Sequence, residues 1–274
     1  MSEDETAVLL ASTLLAGTFG IRWYARLLQR ELTPSQGVLA MRLCLGVLPF
    51  VLLLAFGARL KLGAAREVRE HGEYLLLFLA LGASWLVGLS WATSWLGIHL
   101  CDDAIERNNL AAALAAGGAL SGGMLVYGGT NLGEGDTIWT TIGPALLATV
   151  AIFGLWGAHQ MLSGATDAIT LDRDLASGVR FAGMALGTGL IVGRAVAGDY
   201  VSARDTVRDL LVQGWPALPV AALAGFSQVK LRPTKAQPKP NALTRGVLPA
   251  LAYLALGVVA VLWLGSSRQI GVRQ

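Results

Sequence analysis

Eight apolar stretches, each bounded by charges, Gly or Pro, divide the chain at about 7–24, 38–58, 74–98, 110–129, 138–162, 176–197, 210–226 and 246–264. Most approach the roughly 20 residues that a helix needs to cross a hydrocarbon layer of about 30 Å. None alternates apolar and polar positions as a half-buried strand does. The pattern therefore predicts an all-α, polytopic membrane bundle of about eight transmembrane helices. The seventh stretch is the weakest, because Pro216 and Pro219 interrupt it and 205–209 reads as an amphipathic lead-in. Trp23, Trp95, Trp139, Trp215 and Trp263 fall near predicted ends, where an indole ring sits at headgroup level.

The opening MSEDET is acidic where a secretory signal is basic, so the first stretch is read as a retained span. The stretch 230–241, KLRPTKAQPKPN, is basic, rich in Pro and without apolar periodicity, which makes it a loop. Lys230, Arg232, Lys235, Lys239 and Arg245 stand in or beside it without an acid, whereas the opposite-side loop 131–137 holds Glu134 and Asp136 and no cation. The positive-inside rule then puts both termini outside.

Composition agrees with this picture. Apolar residues make up 54% and charged residues 14% of 274, too little polar surface to coat a soluble globule. The net charge of +3 is spread over short clusters between apolar runs, which argues against nucleic acid. Cys44 and Cys101 fall in or at the end of apolar runs and read as packed thiols, not as a disulfide framework.

An internal repeat is the most specific signal. The stretch 109–128, NLAAALAAGGALSGGMLVYG, returns 65 residues later at 174–193 as DLASGVRFAGMALGTGLIVG, with Leu110, Ala111, Gly118, Gly122 and Gly128 facing Leu175, Ala176, Gly183, Gly187 and Gly193. Weaker echoes at 35–46 and 240–257 extend it to four parallel two-helix repeats within one transmembrane domain, 1–274. The core pair is about 71–199, with flanking helix pairs at about 1–70 and 200–274. Gly118 with Gly122, and Gly183 with Gly187, are four apart and share a helix face, where missing side chains let another backbone approach.

The charged connector, Asn, small-residue cluster and Gly-rich continuation in IERNNLAAALAAGGALSGG, recurring as LDRDLASGVRFAGMALGTGLIVG, resemble the bacterial membrane family called domain of unknown function 350. The resemblance covers 71–199, about half the chain. It implies two repeat units in four spans and a multi-pass protein of the bacterial inner membrane. It also implies a setting beside envelope-stress and polyamine-ligase-like genes, and it carries no settled activity. The second copy departs from the pattern twice: Asp174 stands where Asn is usual, and Arg180 breaks the small-residue cluster.

Arg42 and Arg180 lie one to two turns inside predicted spans and align with Ala115 of the middle copy. An Arg near a helix end can snorkel to the headgroups. Alternatively both face inward and pair with connector acids: Asp102, Asp103, Glu106, Asp167, Asp172 or Asp174. Such a pair is either a structural clasp or part of a solute path. Asn108 and Asn109 read as caps of the following helix. His99, Cys101, Asp102 and Asp103 carry ligand chemistry, but one helical turn cannot aim all four at a metal, so none is expected, and no cofactor. No Walker loop or G-x-S-x-G elbow occurs, and His71, His99 and His159 never fall at zincin spacing, so an enzyme is not expected.

Two functions remain open. One is a small-solute or ion channel or transporter-like bundle, with its path between the Gly faces, Asn108, Asn109, Thr130 and the connector acids. The other is a membrane-embedded interaction or scaffold component of an envelope-stress system, docking a cytoplasmic partner or anionic headgroups. The bilayer is the first expected partner in either case, and small-residue faces on the outer spans allow a homo-oligomer.

Overall fold

The structure is a computed structural model, and it describes residues 1–28, 35–133, 137–234 and 241–271, with side chains as far as Leu264. In lipid every backbone N–H and C=O must be bonded within its own segment, and the apolar stretches meet that demand as helices. They are α1 (Glu3–Leu27), α2 (Gln36–Gly63), the short α3 (Arg66–Glu70), α4 (Gly72–Trp95), α5 (Leu110–Thr130), α6 (Trp139–Ser163), the short α7 (Ala165–Thr170) and α8 (Leu175–Ala195). They continue with α9 (Ala203–Gly214), α10 (Ala217–Leu231) and α11 (Leu248–Gly271). Turns of π-helix at Leu100–Glu106 and Leu243–Val247 lead into α5 and α11. Among the described residues no strand forms, only an isolated bridge between Ala64 and Gly133.

Seven helices are long and apolar enough to cross a membrane, and α9 with α10 makes an eighth crossing if that bent pair counts as one. The pair is bent by 51° at Trp215–Pro216, where the sequence shows its prolines. Consecutive crossings alternate in direction, so the connectors before α5, α8 and α11 lie at one end of the bundle. The α5–α6 and α8–α9 loops lie at the other.

Burial sorts the helices. The apolar windows of α5 and α8 are 72% buried inside the protein, against 11% for α1 and α2, 33% for α4 and α6, and 17% for α11. The α5–α8 pair is therefore the axis, and the remaining helices form a shell whose outer faces meet lipid. α5 also makes its most extensive contact with α8, and α8 its next most extensive with α11. Cys44 is exposed on α2, unlike the packed thiol expected, while Cys101 is half-buried.

Glycine explains how three helices approach so closely, and the two seams correspond position by position. A methyl on Gly118 would fall 2.6 Å from Ala182 Cβ of α8, and one on Gly183 would fall 2.5 Å from Ala250 Cβ of α11. Gly178 stands against the Ala111 backbone as Gly246 stands against that of Ala176, each with 2.9 Å between the added carbon and the neighbouring Cα. Gly122 faces the carbonyl of Ala185 as Gly187 faces that of Tyr253. Gly189 faces Gly122 as Gly257 faces Gly187. α2 joins α5 differently, with Gly117 meeting the Leu48 side chain, and α1 joins α2 where the Gly46 carbonyl accepts the Tyr24 hydroxyl at 2.7 Å.

Candidate functional site

The connectors before α5 and α8 share one backbone design. Arg107 N–H donates to Asp102 C=O and Asn109 N–H to Asp103 C=O, and in the later copy Asp172 donates to Asp167 and Asp174 to Ala168. The residue before each cap, Asn108 at φ 50° and Arg173 at φ 53°, is left-handed. That reverses the chain so the next side chain can cap the helix. Asn109 Oδ1 accepts from Ala111 and Ala112 N–H, and the Asp174 carboxylate accepts from Ala176 and Ser177 N–H. Asn241 Oδ1 likewise accepts from Leu243 and Thr244 N–H ahead of α11.

The departure of Asp174 from Asn has a consequence. Asn109 Nδ2 donates to Ile169 C=O at 2.8 Å, tying the two connectors together across the bundle. A carboxylate has no proton to give. Asp174 instead accepts the Ser177 hydroxyl at 2.5 Å and lies 3.8 Å from Arg180 Nη2, with both residues buried. The second departure, Arg180, is thus the counter-charge of the first. Arg180 is only 2% exposed, and each of its three guanidinium nitrogens is bonded: Nε donates to Gln228 Oε1 at 2.9 Å, Nη2 to Ser177 Oγ at 2.9 Å, and Nη1 to the Arg245 carbonyl. Gln228 Nε2 donates to the same Ser177 oxygen at 2.8 Å. One serine hydroxyl therefore ties α8 to α10, and the guanidinium ties both to the start of α11.

The other predicted residues are not gathered there. Asp103 is buried at its own connector, accepting His99 N–H at 2.9 Å and the Arg107 guanidinium at 3.0 Å. Asp102, Glu106, Asp167 and Asp172 are exposed at the same end of the bundle. Arg42 is half-buried on α2, and Asn108 is half-buried beside its cap. Among the described residues no three His, Cys, Asp or Glu side chains come together as metal ligands. Glu134, Asp136 and most of the basic Pro-rich loop lie outside the described residues. Gly118, Gly122, Gly183 and Gly187 are shut backbone to backbone, which corrects the expectation of a path along the Gly faces, because no space is left there.

His159, visible in the sequence as a polar residue inside a span, and Gln160, which was missed, extend the cluster inward. His159 and Gln160 of α6 are buried, 6% and 4% exposed, and His159 Nδ1 and both polar atoms of the Gln160 side chain have no hydrogen-bond partner among the described residues. The His159 ring lies 5.9 Å from that of Phe181, and a methyl on Gly225 of α10 would lie 3.5 Å from Nδ1. Farther along α8, Trp156 Nε1 donates to the fully buried Thr188 hydroxyl at 2.9 Å, and the Tyr253 hydroxyl is bonded to Ser227. At the opposite end a 320 Å³ cavity lies under α9, lined by Thr130, Thr141, Asp199, Asp205, Thr206 and Asp209 among others.

Residues 61–196 match the family described as Domain of Unknown Function (DUF350). No curated protein and no solved structure matches the chain. The DUF350 segment begins at the last turn of α2, takes in α4, α5, α6 and α8, and leaves α1, most of α2, and α9 to α11 as flanks. Asp174, Ser177, Arg180, His159 and Gln160 lie inside it. Gln228, Arg245 and Tyr253 lie beyond it, so the polar cluster is where the DUF350 segment grips its C-terminal flank.

The cap at Asn109 is separately testable. Asn109→Ala removes both the cap and the bond to Ile169, and is expected to cost about 1–2 kcal/mol in detergent unfolding. Asn109→Asp keeps the cap oxygens but sets a buried carboxylate against the Ile169 carbonyl without the arginine that accompanies Asp174, and should cost at least as much.

Proposed function

We propose that the chain is a non-enzymatic, multi-pass protein of the bacterial plasma membrane, built from parallel two-helix repeats, that carries a small solute or ion along the α6, α8 and α9–α10 face. What supports this reading is the pair His159 and Gln160, buried, with three polar atoms that have no hydrogen-bond partner among the described residues, and packed against α10 of the bent crossing pair. Polar groups inside a membrane are costly, and those without a protein partner mark places where something else is bonded. The acid-lined cavity under α9 supplies a mouth at one end, and the Asp174–Arg180 cluster holds the other.

The test is flux through proteoliposomes loaded with sodium, potassium, protons or a polyamine. Gln160→Leu and His159→Leu should each lower the flux about tenfold, the equivalent of one buried hydrogen bond to the solute, with folded yield unchanged. A second reading has its own observation. Asp102, Glu106, Asp167 and Asp172 are exposed together at the connector end and offer a face to a soluble partner of the interaction type. Absence of flux for every solute, with a soluble protein co-purifying, discards the carrier reading in favour of this one.

A further inference from the structure

α1 leans on α4 and scarcely touches α2, and the space left between these helices is a cleft that runs inward from the connector end. Its outer part, 380 Å³, lies beside Arg22, Ser94, His99 and Asp102. Its inner part, 190 Å³, has an apolar wall that includes Leu45, Leu48, Leu53, Leu86 and Leu120. Phe19, Trp23, Ser90 and Leu100 line both parts, so the two are continuous.

Trp23 stands at the junction, and its indole differs from those of the other inward tryptophans. Trp156 Nε1 donates to Thr188 and Trp85 Nε1 to Thr149. Trp23 is 6% exposed, yet its Nε1 has no acceptor among the described residues. A buried N–H is costly to leave without an acceptor, so the occupant of the cleft should carry one at this depth. At the mouth Arg22 is exposed in the last two turns of α1 and Asp102 is exposed on the connector, so both signs of charge stand at the headgroup layer. Arg26, one turn farther along α1, is turned to Cys101.

We propose that the cleft holds a phosphatidylethanolamine molecule of the bilayer, with its phosphate at Arg22, its ammonium at Asp102, a glycerol ester carbonyl accepting from Trp23 Nε1 and one tail entering between α1, α2 and α4. Each group of the lipid then meets its chemical complement in the order in which the cleft presents them, charge outermost, amide-like donor next and apolar wall innermost. A mouth of mixed sign selects a zwitterion over an anionic lipid. A primary ammonium has three N–H groups to give a carboxylate, whereas the quaternary ammonium of phosphatidylcholine has none. The bound lipid would fill the gap that α1 and α2 leave, and this role is independent of the carrier reading.

Native mass spectrometry of the purified full chain, given phosphatidylethanolamine, phosphatidylglycerol and phosphatidylcholine at equal concentration, tests this. Phosphatidylethanolamine should be retained in preference, and Asp102→Asn should reduce that preference about fivefold. Trp23→Phe keeps an apolar ring and loses the N–H. It should lower retention of the ester-linked lipid about fivefold and leave unchanged that of an ether-linked phosphatidylethanolamine, which has no carbonyl at that depth. Gly20 borders the inner part of the cleft, and a Cβ built there meets nothing within 4 Å, so Gly20→Leu should exclude the tail and lower retention of the lipid with folded yield unchanged. Equal retention of the three lipids, a preference unmoved by Asp102→Asn, a Trp23→Phe chain that treats ester and ether lipids alike, or retention untouched by Gly20→Leu would each overturn the assignment.

Discussion

Gly189→Ala is expected to destabilise the protein by about 1–3 kcal/mol, and Gly189→Leu to abolish the folded species in detergent. An added methyl at Gly189 would lie 2.6 Å from the Gly122 carbonyl oxygen and 2.7 Å from its Cα, both backbone atoms that cannot turn aside. Gly257→Ala makes almost the same intrusion, 2.6 Å from the Gly187 oxygen and 2.8 Å from its Cα, yet should cost less. α8 is held on every side, whereas α11 has only 17% of its span buried and can yield toward lipid. Gly17, Gly143 and Gly154 meet nothing within 4 Å, and Ala there should be neutral or gain a few tenths of a kcal/mol from helix propensity. Thermal unfolding followed by size-exclusion yield ranks the variants. A Gly189→Ala protein as stable as Gly154→Ala would mean that the seam is looser than its backbone spacing implies.

Hydropathy marked nearly every crossing within a few residues, because in lipid the length of an apolar run and the need to bond the backbone leave one solution. The amphipathic α9 differs for a physical reason: its charges keep its first turns at the water boundary, and the break after Gly214 splits the predicted seventh span into two helices. The small-residue pattern identified Gly118, Gly122, Gly183 and Gly187 as packing positions but not their partners. A glycine states that something comes close, and only the fold says that it is the next helix in the series. Ser177 was within reach of the sequence, since Asp174, Ser177 and Arg180 fall three apart on one helix face. Gln228 and the Arg245 carbonyl were not, because long-range partners leave no local periodicity. His159 was visible as a polar residue in a span, and Gln160 beside it became notable only once its amide was found buried and unbonded.

Replacing Arg180 by Ala should cost about 3–5 kcal/mol, the usual result of leaving one half of a buried pair behind. The loss would strand the Asp174 charge, the Gln228 oxygen and the Arg245 carbonyl in a site where Arg180 now serves all three. Asp174→Asn alone should cost less, since the amide still caps α8 through its oxygen and Arg180 keeps its neutral acceptors. The double variant is the informative one. It installs on α8 the combination that α5 already uses, where Asn109 caps a helix whose aligned interior position is Ala115, fully buried without strain. If the acid and the arginine are each other's compensation, Asp174→Asn should recover about 1–3 kcal/mol of the Arg180→Ala loss in a double-mutant cycle. Arg180→Leu tests the remaining contribution, because it fills the space without restoring any bond. Should the two single effects add to within about 0.5 kcal/mol, the charges act independently and Arg180 is held by Gln228, Ser177 and the Arg245 carbonyl alone. Flux measured on the same variants separates the roles further: a clasp lowers yield and leaves transport per folded molecule unchanged, whereas a group facing the solute lowers transport at constant yield.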